Sequence, residues 1–201
     1  MYQAAKRSGL LILLLVIALV GVGCNKNESK NQTVGLVTVM GMLGVGPDGT
    51  LGTTLASDVI GVNPDGTTYI IEDSGQATVR NVPLDPDFFD PTPWMDVVLT
   101  RYRVTYTRAD GRNTPLVDIP LAFEAGMTVS ILTDSSTTFS FLLVRAVAKT
   151  EPPLIQLAEG IYSEKQILTT ATVEFWGADM AGHPVYCKGT IAVHFANWAD
   201  E

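Results

Sequence analysis

Val97-Val98-Leu99-Thr100-Arg101-Tyr102-Arg103-Val104-Thr105-Tyr106-Thr107-Arg108 is the stretch that decides the fold. Val98, Tyr102, Val104 and Tyr106 share one parity, whereas Arg101, Arg103, Thr105 and Thr107 share the other. Side chains along a strand point alternately to its two faces, so this period of two predicts a strand with one face buried and one wet. The same alternation sets Ala171, Val173 and Phe175 against Thr172, Glu174 and Trp176. It also sets Ile191, Val193 and Phe195 against Thr190, Ala192 and His194, and Met127, Val129 and Ile131 form a shorter run.

Residues 139–147 break the pattern. Phe139, Phe141, Leu143 and Val147 fall on one face, but Leu142, Val144 and Ala146 fill the other, which predicts a central strand covered on both sides. Helical signals are few. Residues 159–168 have room for a turn or two, yet Ile161, Tyr162 and Ile167 make no sustained stripe of period 3.6.

Turn chemistry separates the strands. Gly44-Val45-Gly46-Pro47-Asp48-Gly49-Thr50 recurs as Gly61-Val62-Asn63-Pro64-Asp65-Gly66-Thr67. Proline presets the first turn dihedral, aspartate bonds back to nearby backbone, and glycine supplies the positive dihedral at the exit. Ala109-Asp110-Gly111-Arg112 and Ala181-Gly182-His183-Pro184 are further turns. Many short strands, frequent turns and no helical layer predict an all-β, antiparallel, immunoglobulin-like β-sandwich. Residues 97–195 have the length of one such unit, and residues 34–82 are expected to add N-terminal strands to it, giving one domain over 34–201.

Ahead of this domain the chain changes character. Lys6 and Arg7 precede thirteen residues, 10–22, that carry no charged or strongly polar side chain. A membrane-spanning helix needs about 20 apolar residues, so this run has the length of a signal-peptide core instead. Gly21-Val22-Gly23-Cys24 follows it directly. Small residues ahead of a cysteine resemble the bacterial lipobox, although Gly21 stands where a larger aliphatic residue is usual. The resemblance implies that residues 1–23 are a lipoprotein signal peptide, that Cys24 carries a diacylglycerol thioether, and that the peptide ahead of it is removed. Residues 25–32, Asn-Lys-Asn-Glu-Ser-Lys-Asn-Gln, are polar throughout, so residues 24–33 read as a polar tether. In lipoproteins of enteric bacteria an aspartate after the cysteine resembles an inner-membrane retention signal, and here that position is Asn25, so the resemblance implies the outer membrane over the inner membrane of the cell envelope. The order of motifs in the mature domain also resembles uncharacterised immunoglobulin-like envelope lipoproteins, from which no functional residue carries over.

Loss of residues 1–23 leaves 178 residues with eleven basic and twenty-one acidic side chains, a net charge of −10. Such a balance argues against nucleic acid, whose binding needs clustered Lys and Arg to displace counterions, and against adhesion to anionic lipid. With Cys24 lipidated, Cys187 has no disulfide partner. It shares parity with Ile191 and Val193 and should point into the core, while His194 should point out, so the two are not expected to meet at a metal.

Candidate sites are sparse. Asp85, Asp87 and Asp90 crowd an oxygen-rich, proline-rich loop suited to Ca²⁺, but the twelve-residue glycine-containing calcium loop is missing, and an acidic surface loop is the favoured reading. Trp94, Trp176 and Trp198 raise the alternative of a carbohydrate-binding module that stacks sugars on exposed indoles, set against the usual burial of tryptophan. There is no G-x-S-x-G elbow, H-E-x-x-H pair or glycine-rich phosphate loop, so no catalytic residue and no cofactor is assigned. A hydrolase with carboxylates assembled by the fold is the remaining enzymatic alternative. Residues 33–47 carry no charge; as an inner strand they need no explanation, whereas as an edge strand they lack the charges that block pairing and could recruit a protein partner by strand addition. The sequence therefore points to a lipid-anchored envelope protein, binding or structural rather than enzymatic, with the membrane and an unidentified protein as partners.

Overall fold

The computed structural model describes residues 35–46, 48–84 and 92–198. The alternating stretches become strands, here numbered β1 (Gly35–Val45), β2 (Leu51–Gly52), β3 (Thr54–Asp58), β4 (Gly61–Val62), β5 (Thr68–Tyr69) and β6 (Asp73–Pro83). There follow β7 (Val97–Thr107), β8 (Phe123–Ile131), β9 (Ser135–Val144), two short helices α1 (Ala146–Lys149) and α2 (Leu154–Ala158), then β10 (Gln166–Asp179) and β11 (Pro184–Ala196). One sheet has the order β2-β1-β6-β9 and the other β3-β11-β10-β7-β8, with β4 and β5 as a small separate hairpin.

The inward faces of the two sheets share one core. Ala77 and Val79 of β6 and Phe141 and Leu143 of β9 meet Val104, Val173, Phe175 and Val193 of the opposite sheet. At its centre the Phe175 ring lies 5.5 Å from Phe139, 5.6 Å from Phe141 and 6.3 Å from Tyr102 between centroids, the two phenylalanines edge-on. Two tyrosines stitch the layers through polar groups that would otherwise be stranded. The Tyr106 hydroxyl donates to the Leu143 carbonyl at 2.6 Å, and the Leu142 amide donates to the Tyr102 hydroxyl at 3.2 Å. Burial raises the pKa of both phenols above the usual tyrosine value.

Most of the predicted alternation is present. Ala171, Val173, Phe175, Ile191, Val193 and Phe195 are all buried. Both repeated turns close as expected: the Thr50 amide donates to Asp48 Oδ1 at 3.0 Å and the Thr67 amide to Asp65 Oδ1 at 2.9 Å, with φ of 81° at Gly49 and 84° at Gly66.

Three expectations are corrected. In β7, Val98 does not share the inner face with Tyr102, because Val97 and Leu99 point inward instead. A bulge at Thr100 shifts the register against β8 and β10, so Thr100 and Arg101 are both exposed and the parity reverses. Gly177 faces this bulge, where an added Cβ would overlap the Val98 carbonyl oxygen and come within 2.7 Å of Leu99 Cα. The second correction concerns residues 139–147. β9 is an edge strand rather than a central one, and the apolar run continues because the chain turns into α1, which takes Ala146 and Val147 out of the sheet. Third, the helices fall at 146–149 and 154–158, not within 159–168, whose last residues already belong to β10.

Residues 35–83 supply strands to both sheets of this sandwich. Of the strands after residue 97, only β9 lies in the first sheet, so β1 and β6 supply most of the layer that covers the second. The sandwich is also not wholly antiparallel. The chain crosses between sheets at Thr53, so β3 runs parallel to β11, pairing Leu55 with Val193 and Ser57 with Phe195.

Candidate functional site

The uncharged N-terminal stretch becomes an edge. β1 pairs along its length with β6, but on its other side β2 reaches only Gly44 and Val45. Among the described residues no strand covers that side from Leu36 to Leu43. Val37 and Met42 point into the core, and a bulge between Val39 and Gly41 leaves Met40 exposed on the surface beside Leu36 and Thr38. These three side chains, with Arg80 and Val82, line a shallow hollow of about 200 Å³. Natural edge strands are usually blunted by charge, proline or bulges, and here only the bulge is present.

A second feature sits at the end of β7. The Arg108 guanidinium, almost fully buried, donates through Nε to both oxygens of Asp110 at 3.1 Å and through Nη2 to Asp110 Oδ2 at 2.6 Å and Glu164 Oε2 at 2.8 Å. Its Nη1 donates to the Tyr162 hydroxyl at 3.3 Å. Arg112 bonds the same two carboxylates. Arg108, with Arg112 behind it, holds the Asp110 carboxyl below the usual carboxylate range, and Arg112 followed by Arg108 does the same for Glu164. A cleft of about 500 Å³ opens beside them, lined also by Lys165, Gln166 and Leu168. The two arginines and two carboxylates satisfy one another, so the arrangement clamps the loop after β7 to the entry of β10 and offers no free charge to a ligand.

A third cluster is buried. Asp73 at the start of β6 accepts the Ser57 hydroxyl at 2.6 Å and lies 2.9 Å from Lys149 Nζ in α1. Lys149 is 1% exposed and Asp73 7%. The Lys149–Asp73 contact is ionic and poorly angled for a hydrogen bond, so no acceptor among the described residues lies in line with the ammonium donors. The cluster joins β3, β6 and α1, and thus both sheets. Sequence reasoning misses both this cluster and the arginine clamp, since nothing in one dimension pairs Asp73 with a lysine seventy-six positions away.

The three tryptophans do not converge. Trp94 is exposed on the 3₁₀ turn Pro93–Met95 before β7. Trp198 is exposed beyond the last residue of β11, at the opposite end of the second sheet, with its amide donating to Asp58 Oδ1 at 3.1 Å. Trp176 lies half-buried on the outer face of that sheet, where the Arg101 guanidinium sits 4.3 Å above its ring and Tyr186 packs 5.7 Å away. The cation holds one face of that indole, which removes it from a common stacking platform. Cys24, Asp85, Asp87 and Asp90 lie outside the described residues.

Cys187 is buried as expected, and desolvation pushes its thiol up to about 12. A thiol reagent should therefore label it only as the fold opens, with a rate in native buffer far below that in denaturant; equal rates would contradict its burial. His183 Nδ1 lies 2.9 Å from Asp179 Oδ2 in the β10–β11 turn, and His194 is half-buried on the outer face of β11. Among the described residues no three His, Cys, Asp or Glu side chains are grouped to hold a metal ion.

No family model matches the chain, and no curated protein matches it. Among solved structures, the solution structure of a candidate late embryogenesis abundant (LEA) protein aligns with 96% of this chain and 86% of its own, at 11% identity and a TM-score of 0.37. That distance transfers no function.

Proposed function

We propose that the protein is a lipid-anchored component of the bacterial cell envelope, held through Cys24 on the outer rather than the inner membrane, that works without catalysis by recruiting an extended segment of a partner protein along β1. The observation that carries this reading is the open edge of β1 from Leu36 to Leu43, with no charged residue between Gly35 and Gly46. Unpaired backbone groups on such an edge supply the hydrogen bonds of strand addition, and the hollow beside Leu36 and Met40 supplies side-chain selectivity. No helix of the described residues is long and apolar enough to cross a membrane; the reading places attachment in the lipid because the apolar run 10–22 is shorter than a spanning segment and leads directly to Cys24. Two or more acyl chains hold a protein firmly, at about 0.8 kcal/mol per buried methylene.

Two measurements test it. Cys24→Ala should abolish metabolic labelling with a fatty acid and move the protein to the soluble fraction; continued membrane retention would overturn the anchor. The paired change Thr38→Lys and Met40→Lys places charge on exposed positions of the edge, and should shift stability by less than about 1 kcal/mol. Cross-linked partners recovered with the intact anchored protein should then fall by about tenfold or more, as expected when lysine blocks edge pairing. Unchanged recovery would move the interaction away from β1.

A further inference from the structure

We propose that Lys149 and Asp73 condense to an intramolecular amide, a covalent cross-link between the end of α1 and the start of β6 that expels one water. Neither residue belongs to the edge of β1, and the bond does not depend on the lipid anchor.

Strand register brings the two groups together. Asp73 pairs with Val144 across the β6–β9 ladder. After Val144 the chain makes the short helix α1, which ends at Lys149 and sets its side chain against the start of β6. Nζ lies 2.9 Å from Asp73 Oδ2. The carboxyl carbon is one C–O bond of about 1.2 Å from that oxygen, so Nζ is within about 4.1 Å of Cγ. An amine fixed that close to a carboxyl carbon is near the distance of attack, and holding the pair in place turns a bimolecular encounter into an intramolecular one.

Burial limits what else the amine can do. Lys149, Asp73 and Ser57 are all buried, and so are Val144 and Ala148 on the same segment as the lysine. Reagents in solvent are therefore shut out, and Asp73 is the only carboxylate in reach among the described residues. A lysine ammonium has three donors to place, and among the described residues none meets an acceptor in line. Two buried charges and unplaced donors are costly. Condensation removes both charges and leaves a single N–H and a single carbonyl.

The step balances without a co-reactant. One proton passes from the Lys149 ammonium to Asp73 Oδ2, giving an amine and a carboxylic acid. The Nζ lone pair then forms the N–C bond at Cγ, and the π electrons of the carbonyl move to Oδ1. A second proton passes from Nζ to Oδ2, and the Cγ–Oδ2 bond breaks. Oδ2 leaves with the electron pair of that bond as water while the carbonyl at Oδ1 reforms. Ser57 fits this route, because its hydroxyl donates to the same departing oxygen at 2.6 Å. A donor aimed at an oxygen where charge develops stabilises the transition state. The finished bond joins residues seventy-six positions apart and encloses β7, β8 and β9, so that segment stays looped even when the fold opens.

Peptide mapping of the full chain, denatured and cut with trypsin, tests the bond. Trypsin cuts after unmodified lysine and arginine, so Asp73 falls in the peptide 31–80 and Lys149 ends the peptide 146–149. An acylated lysine is not cut. The cross-linked chain should therefore yield 31–80 joined to 146–165, lighter than the sum of the two by one water, with fragment ions placing the branch at Asp73 and Lys149. Lys149→Arg keeps the positive charge but offers no amine, and should abolish the joined peptide. Separate recovery of 31–80 and 146–149 from the parent chain overturns the bond. A water loss confined to 31–80, such as ring closure at Asp48-Gly49 or Asp65-Gly66, overturns it as well. So does a joined peptide that survives Lys149→Arg.

Discussion

Asp73→Ala should lower the unfolding free energy by about 3–5 kcal/mol, the usual cost of leaving one member of a buried ion pair without its partner. Lys149 is 1% exposed, and Asp73 is the only carboxylate in contact with its ammonium among the described residues, so the variant must bury an uncompensated charge, neutralise it or open the α1 segment. Ser57→Ala removes only a hydroxyl donated to the same carboxylate and should cost about 1.5–3 kcal/mol. Replacing the pair together, Asp73→Leu with Lys149→Met, should recover much of the loss, since apolar groups of similar shape often substitute for buried ion pairs. Urea unfolding with unchanged slopes measures all three. A single Asp73 variant that unfolds at the parent midpoint would show that the pair contributes nothing to stability.

The second large effect belongs to Phe175. It is fully buried and its ring touches the aromatic groups of both sheets, so Phe175→Ala should cost about 3–5 kcal/mol through lost burial and the cavity left behind. Phe175→Leu keeps much of the volume and should cost less. Equal midpoints for the two variants would mean that the surrounding rings collapse to fill the space.

These two sites mark how far the sequence can be read. Phe175 is visible because alternation reports which face of a strand is inward. Asp73 and Lys149 are not, because period and propensity say nothing about which distant side chains share a pocket. β7 shows the same boundary on a finer scale. Its pattern predicts a strand, but one extra residue at Thr100 reverses parity, and the neighbouring strand accommodates it at Gly177, where a Cβ would clash. Residues 139–147 mislead for a different reason. A central strand and an edge strand that runs into a helix both leave apolar residues on each face, and only the topology separates them. Of the candidate sites, the edge of β1 is legible as an uncharged run, although its open side depends on where β2 stops.

The pairing of β1 with β6 also has a mechanical consequence. A pull on the segment ahead of Gly35, opposed from the far end of the domain, acts along the axis of β1. Its antiparallel ladder with β6 extends from Gly35 to Val45, so the load is shared by all of those hydrogen bonds in shear rather than peeling them one after another. Pulling on β1 at right angles to its axis should open the domain at a lower force, a contrast that single-molecule extension from the two directions would measure. An anchored sandwich attached in this way would withstand tension between the membrane and whatever it holds.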